Sequence, residues 1–514
     1  MRLSRALGYW LLLFASLVLL HASLLRLPYF WDEAGYYIPA ARDFYLHHQL
    51  IPTSTLTNAH PPLPSVYLAC AWWLFGYAPL VTRLAMLAIA ASALLAVYVI
   101  ARGLQNAPVA WATVACTALY PIWFAQSSLA HADLLAACFT LWGIAAWLRA
   151  KTWTAVVLFS LAALSKETAL LFPLVIAGWE LLLRIPRLRN RLGNIHALSW
   201  RNALALLVPA LPLALWFAYH YARTGHVFGN PEFLRYNVST THSPLRFVLA
   251  FLQRGWHLFG HMDLFVLTLL AVTAMFFPAV RDRCGERPRI AIPAQLLMAV
   301  LVLANWIAFS LIGGALLTRY LLPCYPLIIL IFVSTLWRRW KAWPVAVTAV
   351  VLAFLAALVW NPRYRFSPED NLAYADYIRL HQSAARVLGQ HLSHAVVLTA
   401  WTGTDELQKP WLGYVQQSIR TVQIDDFTVQ QITLASQDAG AYDAAFVFST
   451  KYDPGNSPLS SFKFWGTKSE QYFGYHRDLP PETIAKLLGG EIVWRGQRGA
   501  QWAAVIVFPR AMVG

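Results

Sequence analysis

Asp32 and Glu33 are adjacent carboxylates in the run Leu27-Pro28-Tyr29-Phe30-Trp31-Asp32-Glu33-Ala34-Gly35-Tyr36-Tyr37, directly after an apolar stretch near residues 7–26. A charge at membrane depth costs a few kcal/mol even on the mildest scale, so an acidic pair there is a functional candidate. Carboxylates so placed can orient a substrate or take a proton as general base. The plainer alternative is an interfacial flank, with Tyr29, Phe30, Trp31, Tyr36 and Tyr37 forming an aromatic belt. Which reading holds depends on what the rest of the chain brings to the same side.

The elements that must position this pair are set by composition. The chain has 514 residues, of which 58% are hydrophobic and 12% charged, with a mean hydropathy of +0.50. Those values fit a polytopic membrane protein and exclude an ordinary soluble domain. Apolar runs recur near 7–26, 82–101, 107–125, 132–149, 153–165, 167–183, 203–221, 262–280, 291–312, 319–337 and 343–360. They predict about eleven transmembrane helices. The first is read as an anchor, because no small-residue cleavage site follows it. Basic residues collect in alternate loops: Arg102; Arg149 and Lys151; Arg184 to Arg201; Arg281 to Arg289; and Arg338, Arg339 and Lys341. This positive-inside bias puts the N-terminus in the cytoplasm and residues 361–514 outside, across a plasma or inner membrane. It also accounts for much of the +16 net charge, so no nucleic-acid partner is needed.

Beyond residue 360 the composition changes, and 14 of the 24 carboxylates lie there. Val396–Thr399, Ala444–Phe448 and Ala503–Phe508 read as buried strands, and Asp370–Gln390 and Pro481–Leu488 as helices. The expected architecture is an all-α membrane domain, 1–360, followed by an extracytoplasmic α/β domain, 361–514. That second domain could serve only for packing or docking. None of the five cysteines lies in it, so no disulfide framework is expected.

The first exterior loop, 28–80, is long and half apolar. It carries Asp32, Glu33, Asp43, the run Asn58-Ala59-His60-Pro61-Pro62-Leu63-Pro64, and aromatic residues including Trp72, Trp73 and Phe75. Interfacial helices are expected in it. Later outward turns offer Gln126 to Asp133, Ser165-Lys166-Glu167, a segment 222–261 with Arg246, Arg254, His242 and His257, and Leu317 to Pro323. Ten carboxylates precede residue 361; Glu180, Asp282 and Glu286 face the cytoplasm, and the other seven face outward or lie at that edge. A few acids beside several cations, all facing one compartment, suit an external site that handles an anion.

Five of these features in order carry a resemblance: Asp32-Glu33 after the first span, Pro61-Pro62-Leu63 in the same loop, and Asp133 opening the fourth span. Lys166-Glu167-Thr168 between the fifth and sixth spans and Arg319-Tyr320-Leu321-Leu322-Pro323 at the tenth complete the set. Together they resemble the polyprenyl-phosphate-sugar-dependent glycosyltransferases of the GT-C fold, in the branch of protein O-mannosyltransferases and the lipid A aminoarabinose transferase. The resemblance covers residues 1–340, and the exterior domain is matched only in position and size. It implies transfer of a monosaccharide from a polyprenyl-phosphate donor to a lipid, glycan or protein acceptor, with inversion at the anomeric carbon.

For individual residues the resemblance implies Asp32 as the catalytic carboxylate; Glu33 is expected to support it, because neighbouring side chains diverge and one can face the cavity while the other orients loop groups. If the acceptor is itself a phosphate, Asp32 would orient rather than deprotonate; a structural helix cap is its other reading. Asp133 is implied in acceptor or metal binding, against a plain helix-start residue favoured by the macrodipole. Arg319 is implied on the lipid phosphate, against a snorkelling interfacial anchor. His60, Lys166, Arg246 and Tyr320 are further candidates for the donor phosphate. His242 resembles a histidine that helps bind a divalent metal, the one cofactor implied. Here Ala59 and His60 stand where that family has a glutamate and a lysine, so a metal set of His242, Asp133 and a second acid is incomplete unless His60 substitutes. The competing readings are a transporter or flippase of a lipid-linked or anionic substrate, and a non-catalytic envelope scaffold. A transporter would usually show paired halves and mid-span charges; here the charges collect at the outer ends of the spans.

Overall fold

In a computed structural model the described residues are 3–57, 59–193, 199–229, 243–283, 285–312, 314–455 and 463–508. The chain divides into two compact units. One comprises Met1–Leu25 with Ala40–Leu358, and the other Arg26–Pro39 with Val359–Gly514. The acidic pair therefore goes with the C-terminal unit, although the helices before and after it belong to the first.

The first unit is helical. Each of the eleven expected spans coincides with a helix, but their lengths and bends differ from the expectation. Among the described residues four helices are long and apolar enough to cross a membrane alone: Leu3–Leu20, Pro79–Leu104, Trp200–Thr224 and Ile292–Leu311. Three bent pairs raise the number to seven. Shorter apolar helices fill other expected spans, among them Ala132–Trp147, Thr152–Ser165 and Trp343–Val359. The expected continuous span at 107–125 is instead Ala107–Leu119 and Pro121–Ser128, bent by 69°. Proline at 121 cannot donate into the preceding turn, so Tyr120 goes extended and the helix restarts. Another correction concerns 222–261, read as loop: Pro244–Phe259 is a helix, capped by Ser243 Oγ accepting from Arg246 N at 3.0 Å. Its buried face holds Arg246, Arg254 and His257, polar groups that conceal the helical period from a hydropathy reading.

A helical hairpin sets the position of two candidate residues. Ala132–Trp147 and Thr152–Ser165 are joined by a four-residue turn in which Ala150 takes a left-handed φ of 57°. An antiparallel pair this tight returns the chain to the level at which it started, so Asp133 and Lys166 share one end. The approach is close at Gly143, where a Cβ would lie 2.6 Å from the Phe159 ring. A small two-stranded hairpin, β1 (Arg281–Asp282) and β2 (Gly285–Glu286), lies farther along.

The second unit is built on a five-stranded sheet. Its strands are β3 (Val397–Ala400), β4 (Thr421–Ile424), β5 (Ala444–Phe448), β6 (Glu491–Arg498) and β7 (Gln501–Val507), in the order β4-β3-β5-β7-β6. β3 is parallel to β4 and β5, whereas β5–β7 and β7–β6 are antiparallel. β3 and β5 are buried along their whole length, and the helix Ala373–His391 packs on β6 and β7. Substituting Gly143→Val should overpack the hairpin and lower stability by about 1–3 kcal/mol. A thermal melt of the purified protein in detergent checks this, with Gly8→Val, where nothing lies within 4 Å, as the neutral control.

Candidate active site

At the end of the hairpin Lys166 Nζ donates to Asp133 Oδ1 at 2.6 Å, and Arg319 Nε pairs with Asp133 Oδ2 at 3.3 Å. The three side chains are 7%, 3% and 3% exposed, in the order Lys166, Asp133, Arg319. A lone carboxylate at that depth would cost several kcal/mol, and two cations offset it. One acid for two bases leaves a net positive charge. Lys166 Nζ also lies 4.0 Å from the centre of the Tyr320 ring, and the Arg319 and Arg254 guanidinium carbons lie 5.8 and 5.7 Å from it. Asp133, Lys166, Arg319, Tyr320, Thr168 and Asn305 line one cleft. The neighbouring His131 records the local potential. Burial first, then the charges of Arg319, Lys166 and Arg83, pushes its imidazole well below the ordinary value. Two buried cations against one carboxylate suit this place to an anion.

Arg319 is held by its own turn. Thr318–Leu321 forms a short 3₁₀ segment, and Tyr325 OH donates to Thr318 O at 3.3 Å. The helix Pro244–Phe259 holds the irregular segment leading into it. Arg246 directs Nη1 and Nη2 at the carbonyls of Ile312 and Gly314, 3.5 and 3.4 Å away, and Arg254 Nη1 donates to Leu317 O at 2.5 Å. Arg246 therefore touches the backbone that carries the 3₁₀ turn. Arg254, which the sequence reading left out of the site, sits two helical turns on and faces Tyr320. The four-residue spacing of 246, 250 and 254 was the available signal.

His60 meets the second motif. Its Nδ1 is 2.9 Å from Glu167 Oε2, so the Pro-Pro loop and the Lys-Glu-Thr turn come together. Trp216 Nε1 donates to Ala59 O at 3.0 Å and fixes the residue before it. Asp43 caps its own loop, accepting from Thr53 N and Ser54 N at 2.7 and 2.8 Å. His242 lies outside the described residues. Among those described, no three His, Cys, Asp or Glu side chains come together to hold a metal. Among the described residues Asp133 is engaged by two cations and His60 by a carboxylate.

In the second unit the acidic pair opens a π-helical turn, Glu33–Tyr37. Glu33 is fully buried; its Oε2 accepts from Phe30 N at 2.8 Å, the reach-back of a capping carboxylate. Asp32 makes no capping bond and is partly exposed. The cap reading therefore fits Glu33 rather than Asp32. Trp31, just before, has a left-handed φ of 44°, an uncommon conformation that clusters at functional sites.

No family model and no curated protein matches this sequence. Solved structures do. The apo structure of ArnT from Cupriavidus metallidurans superposes with a TM-score of 0.57 at 15% identity, over 98% of both chains. The same protein bound to undecaprenyl phosphate gives 0.55 at 15% identity, over 97% of both chains. The apo oligosaccharyltransferase of Archaeoglobus fulgidus gives 0.45 at 12% identity, over 87% of this chain and 70% of that one. Along essentially its whole length, this membrane-embedded chain has the GT-C fold.

Proposed function

We propose that the protein is an integral-membrane glycosyltransferase that moves a monosaccharide from a polyprenyl-phosphate donor to an acceptor outside the cytoplasm. The acceptor would be lipid A or another lipopolysaccharide component, a polysaccharide or a protein. The observation that carries this is the buried Lys166–Asp133–Arg319 group with its excess positive charge. Support also comes from the full-length likeness to a protein solved with undecaprenyl phosphate.

In the proposed reaction an acceptor oxygen forms a bond to the anomeric carbon while the bond from that carbon to the phosphate oxygen breaks. In-line displacement inverts the configuration. The polyprenyl phosphate leaves with the electron pair, and Lys166 and Arg319 take up its charge. Asp32 receives the acceptor's proton; where the acceptor is an ionised phosphate, it orients instead. Asp133 keeps the two cations close together until the phosphate competes for them. Tyr320 gives them a ring face on which to rest.

Three outcomes are expected. A reporter fused after residue 360 should be active outside the cytoplasm, and one in the 184–201 loop active inside, following the basic-residue asymmetry. Reversal would remove the external acceptor from the proposal. Substituting Arg319→Ala should lower kcat/KM for the lipid donor by about 2–5 kcal/mol, because a buried charge-assisted contact is lost. Parent-like kinetics at matched expression would return Arg319 to an anchoring role. Asp32→Asn keeps shape and removes charge, and should cut turnover by about 10²–10⁴-fold while undecaprenyl phosphate still binds. Turnover above about a tenth of the parent rate would remove the general base.

A further inference from the structure

We infer that the C-terminal unit is a positioning device for the acidic pair, acting through Trp401, Tyr414 and Tyr377 on residues 29–36. This rests on the proposed role of Asp32 and extends it to a domain for which the sequence suggested only packing or docking.

The contacts are specific. Residues 26–39 form one compact unit with 359–514. Trp401 follows β3 directly, and its indole lies against the π-helical turn. A Cβ on Gly35 would sit 2.5 Å from Trp401 Cζ2 and 2.9 Å from its Nε1. Only glycine allows that approach, which here brings the ring onto the backbone three residues after Asp32. Trp31 meets the same indole edge-on at 5.2 Å, and Tyr36 meets it at 5.7 Å. On the other side Tyr377 packs against Phe30 at 5.2 Å and Trp31 at 5.7 Å. Tyr414 OH donates to Tyr29 O at 2.9 Å. Aromatic groups thus fix both flanks of Asp32, and Glu33 turns inward to cap Phe30.

The platform beneath is itself locked. His381 Nδ1 pairs with Glu406 Oε2 at 2.5 Å, and Thr402 Oγ1 donates to Glu406 Oε1 at 2.9 Å. Tyr377 OH then donates to Thr402 Oγ1 at 3.0 Å, and its ring stacks on His381 at 3.8 Å. These bonds and the His381–Tyr377 stack tie Tyr377, Thr402 and Glu406 into one buried chain of contacts. Its rigidity passes to the Trp401 and Tyr377 rings, and from them to the carboxylate-bearing turn. A displacement near 1 Å at a reacting group can cost about 10²-fold in rate, so a domain that holds the turn governs kcat without touching substrate.

The test is a suppression experiment on the full-length protein. Gly35→Ala should lower kcat on the order of 10²-fold while binding of undecaprenyl phosphate and donor KM stay within about threefold. Trp401→Phe removes the ring atoms that the new Cβ would strike; alone it should cost about threefold, and combined with Gly35→Ala it should recover at least about tenfold. Tyr414→Phe, which deletes one hydroxyl, should lower kcat severalfold with the same unchanged donor binding. A merely structural lesion would lower the yield of folded protein and show no such mutual rescue. The inference falls if Gly35→Ala turns over at the parent rate. It also falls if the double variant shows no recovery and Tyr414→Phe keeps the parent kcat. Asp32→Asn, assayed alongside, separates the two claims. If it is inactive while those variants behave as the parent, only the positioning role is lost. If it is active, the underlying reading fails with it.

Discussion

A single carboxylate shared between two cations is the constraint around which the first unit is arranged. Asp133, at 3% exposure, pairs with both Lys166 and Arg319, and two cations so deep need a counter-charge beside them. That requirement fixes three things at once. The hairpin must close tightly enough to return Lys166 to Asp133. The 3₁₀ turn must present Arg319 to the same oxygen pair. The helix Pro244–Phe259 must hold the approach to that turn by its carbonyls. Removing Asp133 would leave two buried cations uncompensated, so the geometry of the cleft and the stability of the bundle depend on the same group of side chains.

The second unit solves a different problem with different chemistry. Its acidic pair is controlled by aromatic packing and backbone geometry rather than by counter-charge. Glu33 is turned in to satisfy a backbone N–H, which leaves Asp32, one position earlier, as the carboxylate with partial exposure. Adjacent residues of identical chemistry are thereby given unlike surroundings, and unlike surroundings are what allow unlike roles.

Much of this was legible in the sequence because buried charges are conspicuous in an apolar chain. Asp133, Lys166, Arg319 and Tyr320 stand out against long hydrophobic runs, and the structure gathers all four in one cleft. Arg254 did not stand out, because it lay among other cations in a segment read as loop. The strands followed a similar rule. β3, β5 and β7 are interior strands with continuous apolar runs and were recognisable. β4 and β6 are the two sheet edges, half exposed and polar at alternate positions, and passed unnoticed. Nor could periodicity reveal that 26–39 pairs with a region more than 300 residues later; that is a property of tertiary contact alone.

The order in which the chain is made gives that long-range pairing a further meaning. Residues 26–39 are synthesised early, whereas Tyr377, Trp401 and Tyr414 are synthesised only after the whole helical unit. Contacts of such sequence separation form late, since the intervening chain must first be ordered. The helices can insert and pack while the acidic turn still lacks its aromatic partners. The acidic turn is therefore completed last, when residues 359–514 pack on a segment present from the start. A truncated or stalled chain would hold the helices of the first unit while Asp32 and Glu33 still lacked the aromatic partners that order their turn.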